Sequence, residues 1–99
     1  EMVDGVTIAC GGFYGPQGRV LRLPLSDPDQ NQKIQRLRYK NWRITNFEME
    51  SSALAGLASL LGHKATTCCM VVANRNAKKA DTNYKDKLDR LIHIVLERI

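Results

Sequence analysis

The run of small and apolar residues from Ala53 to Leu61 most constrains what this chain can fold into. It is apolar nearly all the way round a helical projection, which predicts a helix that is buried on several sides. Two carboxylates, Glu48 and Glu50, flank Met49 immediately before this run. A buried carboxylate needs a partner or a proton. The acids therefore either lie in the first helical turn, where the helix dipole favours negative charge, or accept hydrogen bonds from a ligand in a cleft.

The segments around this run alternate between strand-like and helix-like patterns. Strands are predicted over Val3–Cys10 and Ala65–Ala73, and the second is continuous and apolar, as in a strand covered on both faces. Val20–Leu25 predicts a short extended segment, and Asn41–Thr45 predicts a brief extended link in which Trp42 packs. The stretch between Cys10 and Val20 is dense in glycine and proline, which predicts a loop.

Two further helices are predicted. One begins at Asp27-Pro28, with Asp27 as its N-cap and Pro28 at its first position. The apolar run itself ends at Gly62, a natural helix terminator. The last helix has one apolar stripe at helical spacing, formed by Leu88, Leu91, Ile92, Val95, Leu96 and Ile99. Strands that alternate with helices predict an α/β layered architecture.

The composition narrows the classes of function. A hydrophobic content of 43% argues against disorder, and a net charge of +5 favours anionic partners in general terms. Aromatic residues do not alternate with basic ones as a stacking surface for single strands requires, so no nucleic-acid partner is predicted. No signal peptide or long apolar span is present, so no membrane partner is predicted either.

The cysteines indicate a reducing, cytoplasmic setting. Cys10, Cys68 and Cys69 lack metal-ligand spacing, and an odd number is a poor disulfide framework. Cys68 and Cys69 lie in the apolar strand-like run, which predicts inert thiols in a core. No metal site is predicted.

Three loops follow or precede these predicted elements, and ligands in open α/β sheets bind at the carboxyl ends of the strands. The first loop carries Phe13, whose ring can stack on a planar base, with Gln17 and Arg19, which can read the edge of a pyrimidine. Before the apolar helix, Met49 and Glu50 suit a sugar ring and its vicinal diol. The third loop carries Asn74 and Arg75. Together these side chains are the parts of a nucleoside site.

Three motifs carry a family resemblance: Gly12-Phe13-Tyr14-Gly15-Pro16-Gln17-Gly18-Arg19, Asn46-Phe47-Glu48-Met49-Glu50-Ser51 and Val71-Val72-Ala73-Asn74-Arg75. They resemble the nucleoside phosphorylase family, and within it the uridine phosphorylases, over about Val3 to Ile99. The resemblance implies the C-terminal part of a three-layer α/β/α fold with a mixed sheet. Residues 1–99 would be the back part of a single domain whose front half is absent.

The resemblance also implies roles for the site residues. Phe13 would stack on the nucleoside, and Gln17 and Arg19 would hold the uracil edge, with Arg19 also catalytic at the departing base. Met49 and Glu50 would hold the ribose. Glu48 would be catalytic and would help to order the site and its phosphate-side arginine. Val72 and Ala73 would line the base pocket, and Arg75 would support it.

The implied reaction is reversible phosphorolysis, in which uridine and phosphate give uracil and ribose 1-phosphate. Purine-specific relatives carry an aspartate near the positions of Asn74 and Arg75, and its absence favours a pyrimidine. Phosphate is the co-substrate and no other cofactor is expected. The family resemblance further implies a homo-oligomer, with dimers built into a hexamer.

In the resembling family, the phosphate loop, the phosphate-binding arginines and a histidine from the neighbouring subunit belong to the front half. The expectation is therefore that this chain carries base and ribose determinants and has little or no activity alone. Three alternatives stay open: a nucleoside hydrolase-like relative that uses water, a non-catalytic nucleoside-binding fragment, and a basic nucleic-acid-binding domain.

Overall fold

A computed structural model describes residues 2–99 of the chain. The chain divides into two compact units, one that runs to Thr66 and one from Thr67 to Ile99. The elements of the first unit are strand β1 (Val6–Ala9), helix α1 (Gln30–Arg36), strands β2 (Arg38–Tyr39) and β3 (Trp42–Glu48), and helix α2 (Ser51–Leu60). The second unit contains strands β4 (Ala73–Asn74) and β5 (Lys79–Ala80) and helix α3 (Lys85–Leu96).

The first unit is built on a mixed sheet with the strand order β1-β3-β2. β1 runs parallel to β3, and β2 pairs with β3 in the antiparallel direction through Tyr39 and Trp42. Asn46 of β3 also donates its side-chain amide to the Thr7 hydroxyl of β1 at 2.9 Å. The α/β class and the mixed sheet predicted from the sequence are therefore confirmed.

The central strand β3 is longer than the link predicted over Asn41–Thr45 and reaches Glu48. The interpretation that Glu48 and Glu50 lie in a first helical turn was therefore wrong: Glu48 is the last residue of β3, and Glu50 is the N-cap of α2. The packing expected of Trp42 was also wrong, since 48% of this residue is exposed beside the short strand β2. Pairing with two neighbouring strands holds this whole segment extended.

Helix α1 begins later than the sequence indicated. Asp27 does not act as its N-cap; the helix starts at Gln30, and the cap position falls to Asp29. Asp27 instead accepts the N–H of Asp29 at 3.1 Å in the turn before the helix and pairs with Lys33 at 2.7 Å. The preceding segment Val20–Leu25 contains bends and forms no strand.

Helix α2 ends as predicted but is not buried. The leucines at positions 54, 57 and 60 are 49%, 61% and 84% exposed, so the sheet of this unit does not cover them. Within residues 2–99 the only buried residues are Cys10 and Gln17, which lie in and beside the loop after β1. The most enclosed part of the described chain is thus this loop and not the apolar helix.

In the second unit, the strand predicted over Ala65–Ala73 was largely wrong. Only Ala73 joins a strand, in the β4–β5 hairpin, and residues 64–72 are neither helix nor strand. A run with high strand propensity forms a strand only when another strand supplies its hydrogen bonds. Cys68 and Cys69 are accordingly exposed, contrary to the core position predicted for them. The apolar stripe of α3 is confirmed, although Ile99 lies beyond the end of the helix.

The end of α2 at Gly62 gives a testable stability effect. Gly62 has a φ of +74°, its N–H donates to the Ser59 carbonyl at 3.2 Å, and the His63 N–H donates to the Ala58 carbonyl at 2.8 Å. This pair of bonds is the Schellman arrangement, which needs a left-handed residue. We expect Gly62→Ala to lower the free energy of unfolding by roughly 1–2 kcal/mol, because a Cβ disfavours this conformation.

Gly56, in the middle of α2, provides the matched control. An added Cβ there meets nothing within 4 Å, so Gly56→Ala should raise the free energy of unfolding by roughly 0.5–1 kcal/mol. Urea unfolding followed by the fluorescence of Trp42, the one tryptophan of the chain, measures both variants. Equal effects of the two substitutions would contradict the assignment of Gly62 as the helix-terminating residue.

Candidate functional site

The parallel pairing of β1 with β3 brings two of the predicted loops to one edge of the sheet. Ala9, the last residue of β1, lies opposite Glu48, the last residue of β3. The N–H of Cys10 donates to the Glu48 carbonyl at 2.8 Å, so the pairing extends one residue past β1. The loop that carries Phe13 and the turn that carries Glu50 therefore start side by side.

The loop after β1 folds into a tight turn over Gly15–Gln17. The N–H groups of Gln17 and Arg19 both donate to the Tyr14 carbonyl, at 3.1 and 2.9 Å. Gly18 closes the turn with a φ of +68°, a left-handed conformation that glycine adopts without a steric penalty. The turn is therefore a defined structure, and it fixes the directions in which Gln17 and Arg19 leave the backbone.

Arg19 contacts both Phe13 and Gln17. Arg19 donates from one guanidinium nitrogen to Gln17 Oε1 at 2.7 Å and to the Phe13 carbonyl. Its guanidinium carbon lies 3.7 Å from the centre of the Phe13 ring, a cation–π arrangement. Tyr14 meets the Phe13 ring edge-on, with centroids 5.3 Å apart. The structure thus brings together the three side chains that the sequence predicted for a base.

The contact with Arg19 also orients the Gln17 amide. Gln17 is only 6% exposed, and its carbonyl oxygen faces the Arg19 guanidinium. A guanidinium only donates, so it selects the oxygen side of the amide. The two side chains act as one unit in which arginine orients glutamine, rather than as two independent readers.

Glu48 caps helix α2. Its Oε2 accepts the N–H groups of Glu50 and Ser51 at 2.9 and 2.7 Å, and its Oε1 accepts the Ser51 hydroxyl. The Ser51 hydroxyl holds the pKa of Glu48 below its ordinary value of 4.5, and the two backbone N–H groups act in the same direction. Glu48 therefore stays ionised and satisfies donors that the first helical turn leaves without partners.

Met49 and Glu50 lie at the start of α2 and are exposed. Glu50 Oε2 accepts the Met49 N–H at 3.3 Å, and 41% of Met49 is accessible. A carboxylate held in this way can still accept hydroxyl hydrogens through its remaining lone pairs. Glu48 and Glu50 are consequently not equivalent. The Glu48 carboxylate accepts hydrogen bonds from the start of α2, and the Glu50 carboxylate is accessible to a ligand.

The other predicted residues, Val72, Ala73 and Arg75, belong to the second unit. Val72 and Ala73 line an open cavity of about 350 Å³, whose wall also includes Lys79, Asp81 and Lys87. Arg75 begins the turn between β4 and β5. Lys87 donates to Asp81 and holds the pKa of that carboxyl below its ordinary value. The cavity that these two residues line therefore also has charged groups, which the sequence analysis did not include.

Sequence reasoning also missed Ser51, Gln30 and Asn31. Ser51 stands three residues after Glu48, the reverse of the order in a capping box, so the capping-box pattern does not mark it. Gln30 donates its amide to the Pro16 carbonyl at 2.8 Å, across fourteen positions. No local pattern predicts a contact at that separation.

The cap made by Glu48 predicts a pH-dependent stability. A lowered carboxyl pKa adds stability that is complete above the ordinary value of 4.5 and is lost as the pH falls through the lowered value. We expect Glu48→Gln to destabilise the protein at pH 7, because the new amide nitrogen cannot accept an N–H. The difference from the unsubstituted chain should shrink as the pH falls below 4.5 and through the lowered pKa of Glu48.

Urea unfolding at several pH values measures this difference. Asp27 and Asp81 also have lowered pKa values, but they are present in both proteins and cancel in the comparison. Glu97→Gln makes the same change of charge at an exposed position and serves as the control. A destabilisation by Glu48→Gln that stays constant from pH 7 to pH 3 would contradict an ionised cap.

The chain has a mixed α/β fold, with polar and aromatic side chains at the carboxyl edge of two parallel strands, the edge at which open α/β sheets bind their ligands. A family model described as the Phosphorylase superfamily matches residues 1–97, and the chain belongs to this family. A search of curated proteins and a search of solved structures each return no match. Family membership indicates a transferase-type enzyme of nucleoside metabolism that uses phosphate to cleave its substrate.

The described part of the chain has neither a candidate membrane span nor a candidate metal site. Across residues 2–99, no helix is both long and apolar enough to cross a membrane. In the same residues, no three His, Cys, Asp or Glu side chains are grouped so that they could hold a metal ion.

Proposed function

We propose that this chain carries the base and ribose determinants of a uridine phosphorylase, which converts uridine and phosphate into uracil and ribose 1-phosphate. The observation that carries the proposal is the shared sheet edge, where Cys10 pairs with Glu48 and both loops begin. Membership of the phosphorylase family supports phosphorolysis in general. The choice of uridine rests on the contacts among Phe13, Gln17 and Arg19.

At the base, the task is to stabilise a departing uracil. When the bond between the ribose C1′ and the uracil N1 breaks, its electron pair leaves with the base, and negative charge spreads onto the base oxygens. Arg19 and the amide nitrogen of Gln17 donate hydrogen bonds to those oxygens, and donors aimed at developing charge lower the barrier. The Phe13 ring supplies an apolar face for the planar base.

At the sugar, the task is to hold a ring that gains cationic character. Glu50 accepts the vicinal ribose hydroxyls, and the Met49 side chain packs under the ring. Glu48 contributes by ordering the start of α2 through Ser51 and the Glu50 N–H. A phosphate oxygen forms the new bond at C1′, and the phosphate proton ends on the uracil.

Other parts of the proposal extend beyond the first unit. Val72 and Ala73 line the base pocket and Arg75 supports it. Phosphate is the co-substrate and no other cofactor takes part. A homo-oligomer, with dimers within a hexamer, and a cytoplasmic location complete the proposal.

Uracil release from uridine by a protein that contains this chain together with a phosphate site, measured with and without phosphate, tests the reaction. Release that depends on phosphate supports the proposal, and release of equal rate without phosphate would replace it with hydrolysis. Binding of uridine without any release would identify a nucleoside-binding protein instead. Inosine provides the specificity control, because a donor set shaped for uracil should not process a purine nucleoside.

A further inference from the structure

The turn that carries Gln17 is held from outside by helix α1. Gln30, the first residue of α1, donates its side-chain amide to the Pro16 carbonyl at 2.8 Å. The next residue, Asn31, donates its side-chain amide to the Gly18 carbonyl at 3.4 Å. Two consecutive residues of one helix therefore bind the two carbonyls that flank Gln17.

These two carbonyls are the ones that the turn does not use itself. Within the turn, the Tyr14 carbonyl accepts two N–H groups and the Gly15 carbonyl accepts the Gly18 N–H. The Pro16 carbonyl accepts hydrogen bonds from the Gln30 side-chain amide and, at 3.6 Å, from the Cys10 thiol. The amides of α1 therefore add to the turn two hydrogen bonds that its own backbone N–H groups do not supply.

Asn31 is also fitted tightly against Gly18. A Cβ built on Gly18 would stand 2.4 Å from both the amide oxygen and the amide nitrogen of Asn31. The Asn31 oxygen is buried and has no hydrogen-bond partner within residues 2–99. A buried acceptor without a partner is unfavourable. The Asn31 amide is therefore held by the hydrogen bond of its nitrogen and by its packing against Gly18. Its oxygen makes no stabilising hydrogen bond within residues 2–99.

We propose that Gln30 and Asn31 are positioning residues of the base-reading site, a role that rests on the proposed function. They fix the backbone on either side of Gln17, so that the Gln17 amide stays directed at Arg19 and the pair presents its donors to the base. Neither residue touches the base. Gln30 makes the shorter of the two bonds and therefore has the larger effect.

Gln30→Leu tests the proposal, because leucine keeps the bulk and the helix propensity but removes the donor. We expect the dissociation constant for uridine and for uracil, measured by calorimetry, to rise roughly two- to tenfold, the range for one net hydrogen bond. The affinity for ribose 1-phosphate should not change, since that ligand lacks the base. Gln30→Lys restores a donor of similar reach and should return most of the lost affinity.

Gln32→Leu is the matched control. Gln32 belongs to the same helix and is exposed, so its replacement should leave both affinities unchanged. If Gln30→Leu binds uridine as the unsubstituted chain does, or loses affinity for uracil and ribose 1-phosphate equally, the positioning role is overturned. Equal unfolding midpoints for the two leucine variants would exclude a difference in folding as the cause.

A second readout separates this inference from the proposed function. The side-chain amide signals of Gln17 in a nitrogen–proton NMR spectrum report its hydrogen bonding without any ligand. Gln30→Leu should shift or broaden these signals, and Gln32→Leu should not. If the unsubstituted chain binds no uridine, the proposed function fails, and the Gln17 signals alone decide whether Gln30 positions the Gln17 side chain. Gln17 signals that do not change in Gln30→Leu would overturn the positioning role.

Discussion

In a protein that contains this chain together with a phosphate site, replacing Arg19 with methionine is expected to lower phosphate-dependent uracil release by about 100- to 1000-fold, the cost of removing one donor at a developing negative charge. Arg19 is the donor that joins the base-side residues, since it contacts both Gln17 and Phe13. Without it the Gln17 amide loses its orienting partner. Arg19→Lys keeps the charge but not the planar fork, so it should recover only part of the rate.

Arg36→Met controls for the loss of one positive charge, because Arg36 is an exposed residue at the end of α1. Rates with saturating and with limiting uridine separate an effect on binding from an effect on the transition state. Calorimetry with uracil provides a measurement that does not depend on turnover, and Arg19→Met should weaken that binding at least tenfold. A variant that releases uracil within threefold of the unsubstituted rate would remove Arg19 from the proposed chemistry.

The second large effect is expected at Glu50. Glu50→Ala should reduce the efficiency with uridine by roughly 100-fold or more, because two hydrogen bonds to a charged acceptor are lost. The loss with 2′-deoxyuridine should be smaller, since that substrate offers one hydroxyl fewer. The ratio of the two efficiencies therefore moves toward deoxyuridine.

Glu50→Gln keeps the shape of the side chain and removes its charge, and should give an intermediate ratio. Glu97→Gln changes the charge by the same amount at the end of α3 and should leave the ratio unchanged. Glu50 occupies the N-cap position of α2, but the side chain that accepts the N–H groups there is that of Glu48. Glu50→Ala should therefore have a much smaller effect on unfolding than Glu48→Ala. Equal losses with both nucleosides would show that Glu50 does not bind the ribose hydroxyls.

The candidate site was predictable from the sequence to the extent that its parts are local. Phe13, Gln17 and Arg19 fall within seven consecutive positions of a glycine-rich loop, so their proximity follows from chain connectivity. The chemistry of their side chains then indicates a planar, hydrogen-bonding ligand. The contacts of Gln30 and Asn31 with the same turn were not predictable, because they join segments that chain connectivity does not bring together.

The two carboxylates show the same division. Their presence before an apolar run indicated either a first helical turn or a ligand site. In the structure, Glu48 accepts the N–H groups at the start of α2, whereas Glu50 stays accessible. This is because β3 extends to Glu48 at the sheet edge and Glu50 follows at the N-cap position. That outcome depends on the parallel pairing of β3 with β1, which no local rule predicts.

The sequence by itself determined the α/β class, the C-terminal end of α2 before Gly62 and the apolar stripe of α3, since local propensities and spacing decide these features. Only the tertiary structure decided the length of β3, the exposure of α2 and the irregular course of residues 64–72. A strand needs a partner for its hydrogen bonds, and an apolar face is buried only where another surface meets it. Both conditions depend on residues distant in the chain.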